Sequence, residues 1–304
     1  MRPHLPKPIA RLLRNRHTEG LLFVLPYAVI WALFLLWPMI YGFYISLFKW
    51  QPLLGSEFIG LKNYTNLLHD ARFWNALKNT FWFAFLSMPL IIGIGLLFAL
   101  FIRGMGKRRG AGFVEASFFW PYLLNVSIIS IIWKWLFDPD FGLILYYLRR
   151  LGLEPPVFLN DPRWAIPAIA IATGWWLAGY RMVVFRAAIE DIPDTIFELA
   201  ELDGANPLVR FFRILLPLLK PALLFALVLT AISSFRVLGQ VLMMTDGGPG
   251  RASEVLALYL YRAGWQYLEM GRAAALGFVL FLIILVVTLL GFRFLGFESE
   301  LGGR

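Results

Sequence analysis

Cysteine is absent from this chain of 304 residues, and histidine occurs only three times. A protein without cysteine has neither a disulfide framework nor a thiolate metal site. His4, His17 and His69 are too far apart in the sequence to match the spacing of metal ligands. The sequence therefore favours neither a disulfide-stabilised protein nor a metalloenzyme, and we expect the chain to bind no metal.

Charged residues are also scarce, at 15% of the chain, whereas 60% of the residues are hydrophobic and 17% are aromatic. Soluble proteins are about one-quarter charged, so this composition is typical of a membrane protein. Uncharged runs such as Leu21–Phe48 and Asn79–Ile102 exceed the roughly 20 apolar residues that cross a bilayer as a helix. The predicted fold class is therefore an all-α, polytopic membrane protein. Its six transmembrane helices are expected near 21–47, 80–102, 112–137, 164–187, 218–243 and 272–294.

The positive charge is unevenly distributed along the chain, whose net charge is +9. Lys and Arg are concentrated in residues 1–19 and in the segment 103–110. Loops on the cytoplasmic side of a membrane carry such an excess, so both termini are predicted to lie inside. We divide the chain into a cytoplasmic N-terminal tail, 1–20, and a transmembrane domain, 21–304. No aromatic and basic surface or reading motif accompanies the charge, so membrane lipid is an expected partner and nucleic acid is not.

Several signatures of energy conversion and catalysis are missing. The segment GMGKRRG, residues 104–110, has neither the spacing nor the hydroxyl of a phosphate-binding loop. No Asp or Glu lies deep in a predicted span, although carriers driven by protons or sodium normally keep such a carboxylate. A stand-alone carrier or channel is the main alternative function. For a membrane enzyme, the acidic cluster DPDFG at 138–142 is the only candidate, and we expect no catalytic residues.

A segment of mixed polarity, FELAELDGANPLVRFFRILLP at 197–217, separates two long apolar stretches. Pro193 and Asp194 favour a helix start, and Gly204 suits the left-handed position after a helix end. Asn206 and Pro207 are typical of a cap and of a first helical position, so a second helix follows. The sequence predicts a helix, a turn and a helix that ends at Pro217. They lie in a cytoplasmic loop, 188–217.

The residues alone leave two functions open for this helix pair. It could lie on the lipid headgroups, held there by Arg210 and Arg213. It could also be a docking surface for a cytoplasmic partner, which Glu198 and Asp203 favour because acidic groups are not attracted to anionic lipid.

The same segment resembles the coupling-loop motif of ABC importer permeases. The motif stands here as Glu198-Leu199-Ala200, Asp203-Gly204-Ala205 and Ile214-Leu215-Leu216-Pro217, with Leu199 in place of the usual middle Ala. Residues 58–80 and 234–265 also resemble the first outer loop, and the fifth span with its following loop, of the maltose-F-type carbohydrate permeases. The resemblance implies that the ATPase-coupling residues include Glu198, Ala200, Asp203, Gly204, Ala205, Phe211, Ile214 and Pro217.

The resemblance further implies the fold and the partners of a type I importer. The chain would be a permease subunit that forms, with a second homologous permease, the path for a sugar or related polyol. An extracytoplasmic solute-binding protein would deliver the solute. Two ATPase subunits would bind ATP and Mg, so this chain would bind no cofactor itself. The implied location is the plasma (inner) membrane of a prokaryote.

Polar and aromatic residues in three spans are candidates for the solute path. Ser233, Arg236 and Gln240 are spaced as one face of a fifth-span helix, with Ser234 pointing off that face. Arg236 could alternatively extend to the outer interface. Aromatic faces and a few placed polar groups are typical of sugar sites. Further candidates are Trp175, Trp176 and Tyr180 in the fourth span, where packing is the alternative role for a tryptophan, and Asn125 in the third.

Overall fold

The computed structural model describes residues 16–106 and 110–294. Most of the predicted tail, the centre of the basic loop and the last ten residues (1–15, 107–109 and 295–304) lie outside the described residues. The described chain is mostly helical, which confirms the all-α class. The elements in chain order are α1 (Arg16–Trp31, the π-helical turn Ala32–Leu36 and Trp37–Ser46), β1 (Phe48–Gln51), β2 (Gly55–Phe58), α2 (Lys62–Leu68), α3 (Ala71–Met105), α4 (Ala111–Leu123), α5 (Val126–Leu136), α6 (Leu143–Arg150), α7 (Ala165–Glu190), α8 (Asp194–Leu202), α9 (Pro207–Leu218), α10 (Lys220–Phe235), α11 (Gly239–Met244), α12 (Leu256–Tyr261) and α13 (Met270–Phe294).

Straight and bent spans together account for the predicted membrane crossings. Within residues 16–106 and 110–294, four helices are long and apolar enough to cross a membrane alone, namely α1, α3, α7 and α13. Two further spans are bent pairs, because α4 meets α5 at 100° and α9 meets α10 at 69°. Counting each pair as one span gives six, in agreement with the sequence.

The third span, predicted as one helix over 112–137, is wrong in that respect. The backbone is extended at Leu124 and Asn125, with ψ of 146° and 149°. The Asn125 side chain accepts a hydrogen bond from the Ser127 amide at 3.0 Å, so it caps α5. A side chain that caps a new helix competes with continuation of the old one.

The fifth span, predicted over 218–243, is also divided. α10 ends at Phe235 and α11 begins at Gly239, with a non-helical Leu238 between them. Glycine is a poor helix former, so interrupting the helix near Gly239 costs little free energy. A Cβ at Gly239 would lie 3.0 Å from a methyl carbon of Val126. The missing side chain therefore allows the start of α11 to pack directly on the start of α5.

The segment between α1 and α3 begins with a β-hairpin that the sequence did not predict. β1 and β2 form an antiparallel hairpin that pairs Phe48 with Phe58. The side-chain amide of Asn63, in α2, donates hydrogen bonds to the backbone carbonyls of Ser46 and Phe48, at 2.7 and 2.9 Å. α3 then starts at Ala71 and not at the predicted residue 80. The prediction followed the uncharged run, and the first turns of α3 lie before that run because they carry charged residues. The hairpin and α2 thus pack together on the end of α1 and the start of α13.

Candidate functional site

The predicted helix pair of residues 194–218 is present, and its turn has the expected geometry. Gly204 has φ of +78°, in the region that side-chain-bearing residues rarely adopt. The Gly204 amide donates to the Glu201 carbonyl at 3.0 Å, and the Ala205 amide to the Ala200 carbonyl at 2.9 Å. These two bonds form a Schellman motif, which ends α8. We name α8, this turn and α9 the coupling segment.

The second helix of the coupling segment also starts as predicted. The Asn206 side chain accepts a hydrogen bond from the Val209 amide at 2.8 Å, and Pro207 occupies the first helical position. α9 contains a π-helical turn at Arg210–Leu215 and continues one residue past Pro217 before the bend into α10. An ion pair of 2.7 Å between Arg210 and Glu201 connects the two helices.

One side of the coupling segment packs on the membrane domain and the other is exposed. Phe197, Phe211 and Leu215 contact a core formed by the C-terminal ends of α3 and α7, and Ala200 is buried. The predicted residues Glu198, Asp203, Gly204 and Pro217 are exposed, while Ala205 and Ile214 are half-buried. An exposed surface rich in leucine, with acidic residues beside it, is typical of a protein interaction site. The most exposed apolar side chains are Leu199, Leu202, Leu208 and Phe212.

The candidate residues for the solute path lie around the two span breaks. The Trp176 indole N–H donates to the Leu124 carbonyl at 3.2 Å, which gives a partner to a backbone group at the first break. Asn125, next in the chain, is exposed. Because Val126 packs against Gly239, the break in the third span lies beside the break in the fifth. The structure therefore brings Asn125 and Trp176 together with the start of α11.

Two other aromatic candidates on α7 pack against neighbouring rings. Tyr180 stacks on Tyr122 of α4, with ring centroids 5.1 Å apart. Trp175 meets Trp133 of α5 edge to face at 5.8 Å, while about a third of its surface stays exposed. Two of the three aromatic candidates for a sugar ring thus pack against rings of the bent span.

The predicted polar stripe on the fifth span is wrong. Since α10 ends at Phe235, Ser233, Arg236 and Gln240 do not share one helix face. Ser233 and Arg236 are exposed beside the break, whereas Gln240 lies in α11 and is buried. Ser234 points off this surface, as expected, and is buried against Ser87 with a 2.9 Å hydrogen bond. The shared feature is therefore a break in the backbone and not a helical face.

A network of charges beside the starts of α3 and α13 was not predicted from the sequence. The Glu254 side chain has no exposed surface, and Arg72 donates two hydrogen bonds to it at 2.9 and 2.6 Å. Arg262 donates a third at 2.8 Å. Burial raises the pKa of the Glu254 carboxyl, but the hydrogen bonds and charges of the two arginines outweigh it and hold that pKa below its usual range.

A second set of contacts extends this network to α13. Asp70 accepts hydrogen bonds from the Tyr259 hydroxyl and from Arg272, and the Arg72 guanidinium lies 4.5 Å from the Tyr259 ring centroid. The paired residues are remote from one another in the sequence, so no local pattern predicts which of them meet. The only available signal was that these charged residues stand next to apolar runs. The network attaches the loop after α11 to the starts of α3 and α13.

Comparison with known proteins places the chain among transport components. Residues 91–296 match the family described as "Binding-protein-dependent transport system inner membrane component". The chain is 32% identical to the probable ABC transporter permease protein YurN of Bacillus subtilis (strain 168), over 90% of this chain and 94% of that protein.

Two further relatives have a transported solute in their names. Identity is 34% to the sn-glycerol-3-phosphate transport system permease protein UgpA of Rhizobium meliloti (strain 1021), over 90% of this chain and 93% of UgpA. It is 31% to the sulfoquinovosyl glycerol transport system permease protein SmoG of Agrobacterium fabrum (strain C58 / ATCC 33970), over 88% and 87%.

The fold also matches a solved structure. A chain of a bacterial ABC transporter involved in the import of the acidic polysaccharide alginate superposes with a TM-score of 0.79 at 24% identity. The match covers 95% of this chain and 98% of that chain.

Proposed function

Because the chain belongs to the binding-protein-dependent transport inner membrane component family and is a permease of an ABC importer, we propose that its coupling segment docks on an ATPase subunit. The exposed leucines of α8 and α9 carry this proposal, since apolar side chains on a cytoplasmic loop gain free energy when a soluble partner covers them. Glu198 and Asp203 at the edge of that surface would set the register of docking.

The remaining partners follow from the same proposal. A second homologous permease pairs with this chain to complete the path, and two ATPase subunits carry ATP and Mg. An extracytoplasmic solute-binding protein delivers the solute. Both termini and the coupling segment lie on the cytoplasmic side, with the hairpin β1–β2 and the charged network on the outer side. α1 supports the pairing, because its apolar surface is uncovered within this single chain.

Purification and reconstitution test this function. The tagged chain, expressed with its neighbouring genes, should retain a second permease and two ATPase chains in detergent. In proteoliposomes, that complex should take up solute only with ATP and a loaded solute-binding protein. Uptake by the chain alone would instead establish a stand-alone carrier and overturn the proposal.

We propose an anionic polyol or saccharide derivative as the solute class. Two of the relatives are named for sn-glycerol-3-phosphate and sulfoquinovosyl glycerol, which carry a phosphate and a sulfonate. In this chain Arg236 is exposed beside the span breaks, and its side chain makes no hydrogen bond or ion pair within the described residues, although its backbone N–H donates to the Ile232 carbonyl. An unpaired guanidinium at membrane depth is costly unless it meets an anion or water, and its fork of donors suits a phosphate or sulfonate.

The solute class is tested in two steps. Direct titration of the solute-binding protein with sn-glycerol-3-phosphate and with glycerol should show tight binding of the anion only. Arg236→Gln should then lower uptake of the bound anion about tenfold or more, the loss of one strong charged contact, while Arg236→Lys retains part of it. Preference for glycerol, or unchanged uptake by Arg236→Gln, would contradict an anionic solute held by Arg236.

A further inference from the structure

Arg103 connects the inner end of α3 to the coupling segment. Its Nη2 lies 3.3 Å from an Asp194 carboxylate oxygen, and its guanidinium carbon lies 4.0 Å from the centroid of the Phe197 ring. Asp194 and Phe197 are three residues apart in α8 and thus share one face of that helix. The Arg103 side chain of α3 therefore contacts two residues on the same face of α8.

Two cavities border the contact between Arg103 and α8. A cavity of about 700 Å³ lies on one side of Arg103, against the inner end of α7, and one of about 520 Å³ lies on the other, against α9. Arg103 lines both cavities. The packing beside the guanidinium is therefore open towards α7 and towards α9.

Of the two contacts that Arg103 makes with α8, the one with the Phe197 ring is the stronger. Asp194 is 87% exposed, and ion pairs with so exposed a partner are weak and screened by salt. Phe197 is half-buried against the core that includes Ala99 and Ile102 of α3. Arg103 itself is 30% exposed, and its Nη1 is buried without a hydrogen-bond partner. A partly desolvated guanidinium over an aromatic face is held more strongly than a surface charge pair.

The contact between Arg103 and α8 leads from the coupling segment to the span breaks through packed helices. Leu96, Ala99 and Ile102 of α3 share a buried core with Met182 and Phe185 of α7. The same α7 carries Trp176, which binds the Leu124 carbonyl at the first break. Because close-packed helices transmit displacement with little compression, a movement of α8 that pulls on Arg103 shifts α3 and α7 together.

We propose that Arg103 is a positioning residue that transmits movement of the coupling segment to the span breaks through α3. This inference rests on the proposed function, in which ATPase subunits move the coupling segment. It concerns the ratio of solute imported to ATP hydrolysed, because Arg103 does not touch the solute or the nucleotide.

The test compares variants of the whole reconstituted complex. Arg103→Gln removes the charge but keeps a long polar side chain, and Phe197→Leu removes the ring but keeps apolar bulk. For both we expect normal co-purification and basal ATPase activity, with at least about a fivefold drop in solute imported per ATP, at the lower end of usual coupling between sites. Arg103→Lys should recover part of the ratio. Combining Arg103→Gln with Phe197→Leu should add little, because the two residues act as one unit.

Arg293→Gln is the matched control, since Arg293 is exposed in the last turn of α13 and loses the same charge. It should keep the wild-type ratio. An unchanged ratio in Arg103→Gln overturns the inference, and so does loss of assembly in both Arg103→Gln and Arg103→Lys, which would assign Arg103 to folding. A wild-type complex that imports nothing under these conditions would count against the proposed function instead.

Discussion

Glu254, on the side proposed as outer, and Glu198, on the side proposed as cytoplasmic, are both acidic residues next to an apolar helix, yet their surroundings differ. Glu254 has no exposed surface and accepts three hydrogen bonds from two arginines. Glu198 is exposed, and no ion pair involves it among the described residues. The loop that carries Glu254 is thus fastened within its own chain, whereas the coupling segment keeps Glu198 and its leucines uncovered. The contrast is what we expect if the proposed cytoplasmic end meets a partner and the opposite end does not.

Breaking the outer network should give the largest effect. Glu254→Gln leaves Arg72 without its charge partner and Arg262 with Asp246 alone, and loss of one member of a buried pair costs about 3–5 kcal/mol. We expect a clearly lower midpoint of thermal unfolding in detergent. Glu154→Gln makes the same change at an exposed outer-loop position and should leave the midpoint unchanged. Equal midpoints for the two variants would show that the network does not stabilise the chain.

At the inner end, the turn between α8 and α9 should give the next effect. Nothing lies within 4 Å of a Cβ built on Gly204, so a substitution there acts through the backbone alone. Gly204→Val forces a β-branched residue to φ of +78°, which costs about 1–3 kcal/mol. The coupling segment should change direction, and uptake should fall more than ATPase activity.

Gly204→Asn is the control for that change, since asparagine tolerates the left-handed region better than valine. Its uptake per ATP should stay near the wild-type value. The assignment of Gly204 to the turn geometry fails if Gly204→Val assembles and transports normally.

A smaller effect is expected from the exposed acid of the coupling segment. Glu198→Ala removes one charge at the edge of the docking surface, and exposed ion pairs contribute at most about 1 kcal/mol. Binding of purified ATPase subunits should weaken by about fivefold or less. This loss should shrink further at high salt, because screening removes the same attraction. A loss of more than about a hundredfold would place Glu198 in a buried contact.

The outer network should show no pH dependence near neutrality. The pKa of Glu254 in the folded chain lies below its usual range, so its ionised form is favoured by folding. The stabilisation is therefore fully present above the ordinary glutamate pKa of about 4.3 and is lost only as pH falls below it. The difference in unfolding midpoint between wild type and Glu254→Gln should be constant from pH 5 to 8 and should shrink below about pH 4. A shrinking difference between pH 6 and 8 would contradict this account.

Local chemistry made the inner end predictable. Gly204, Asn206 and Pro207 each have a backbone role that depends on immediate neighbours, so the helix, turn and helix follow from the sequence. The outer network depends on contacts between remote residues, since Arg72 and Glu254 are 182 positions apart. No pattern along the chain reports such a pair.

The span breaks were hidden for a different reason. A hydrophobic run indicates which residues suit lipid, but it does not indicate whether the helix continues or bends. Asn125 reads as a polar group for the solute, but its side chain caps α5. The face shared by Ser233 and Gln240 existed only if the helix continued, and it ends between them.

The central claim is that the exposed surface of the coupling segment is cytoplasmic and covered by an ATPase, and the absence of cysteine allows a direct test. Leu202, at the end of α8, and Leu53, in the outer hairpin, are each 83% exposed. In membrane vesicles of known orientation, Leu53→Cys should react with a membrane-impermeant maleimide only from outside. Leu202→Cys should react only from inside, and much more slowly once the ATPase subunits are bound. Labelling of Leu202→Cys from outside, or at one rate with and without the ATPases, would contradict the account.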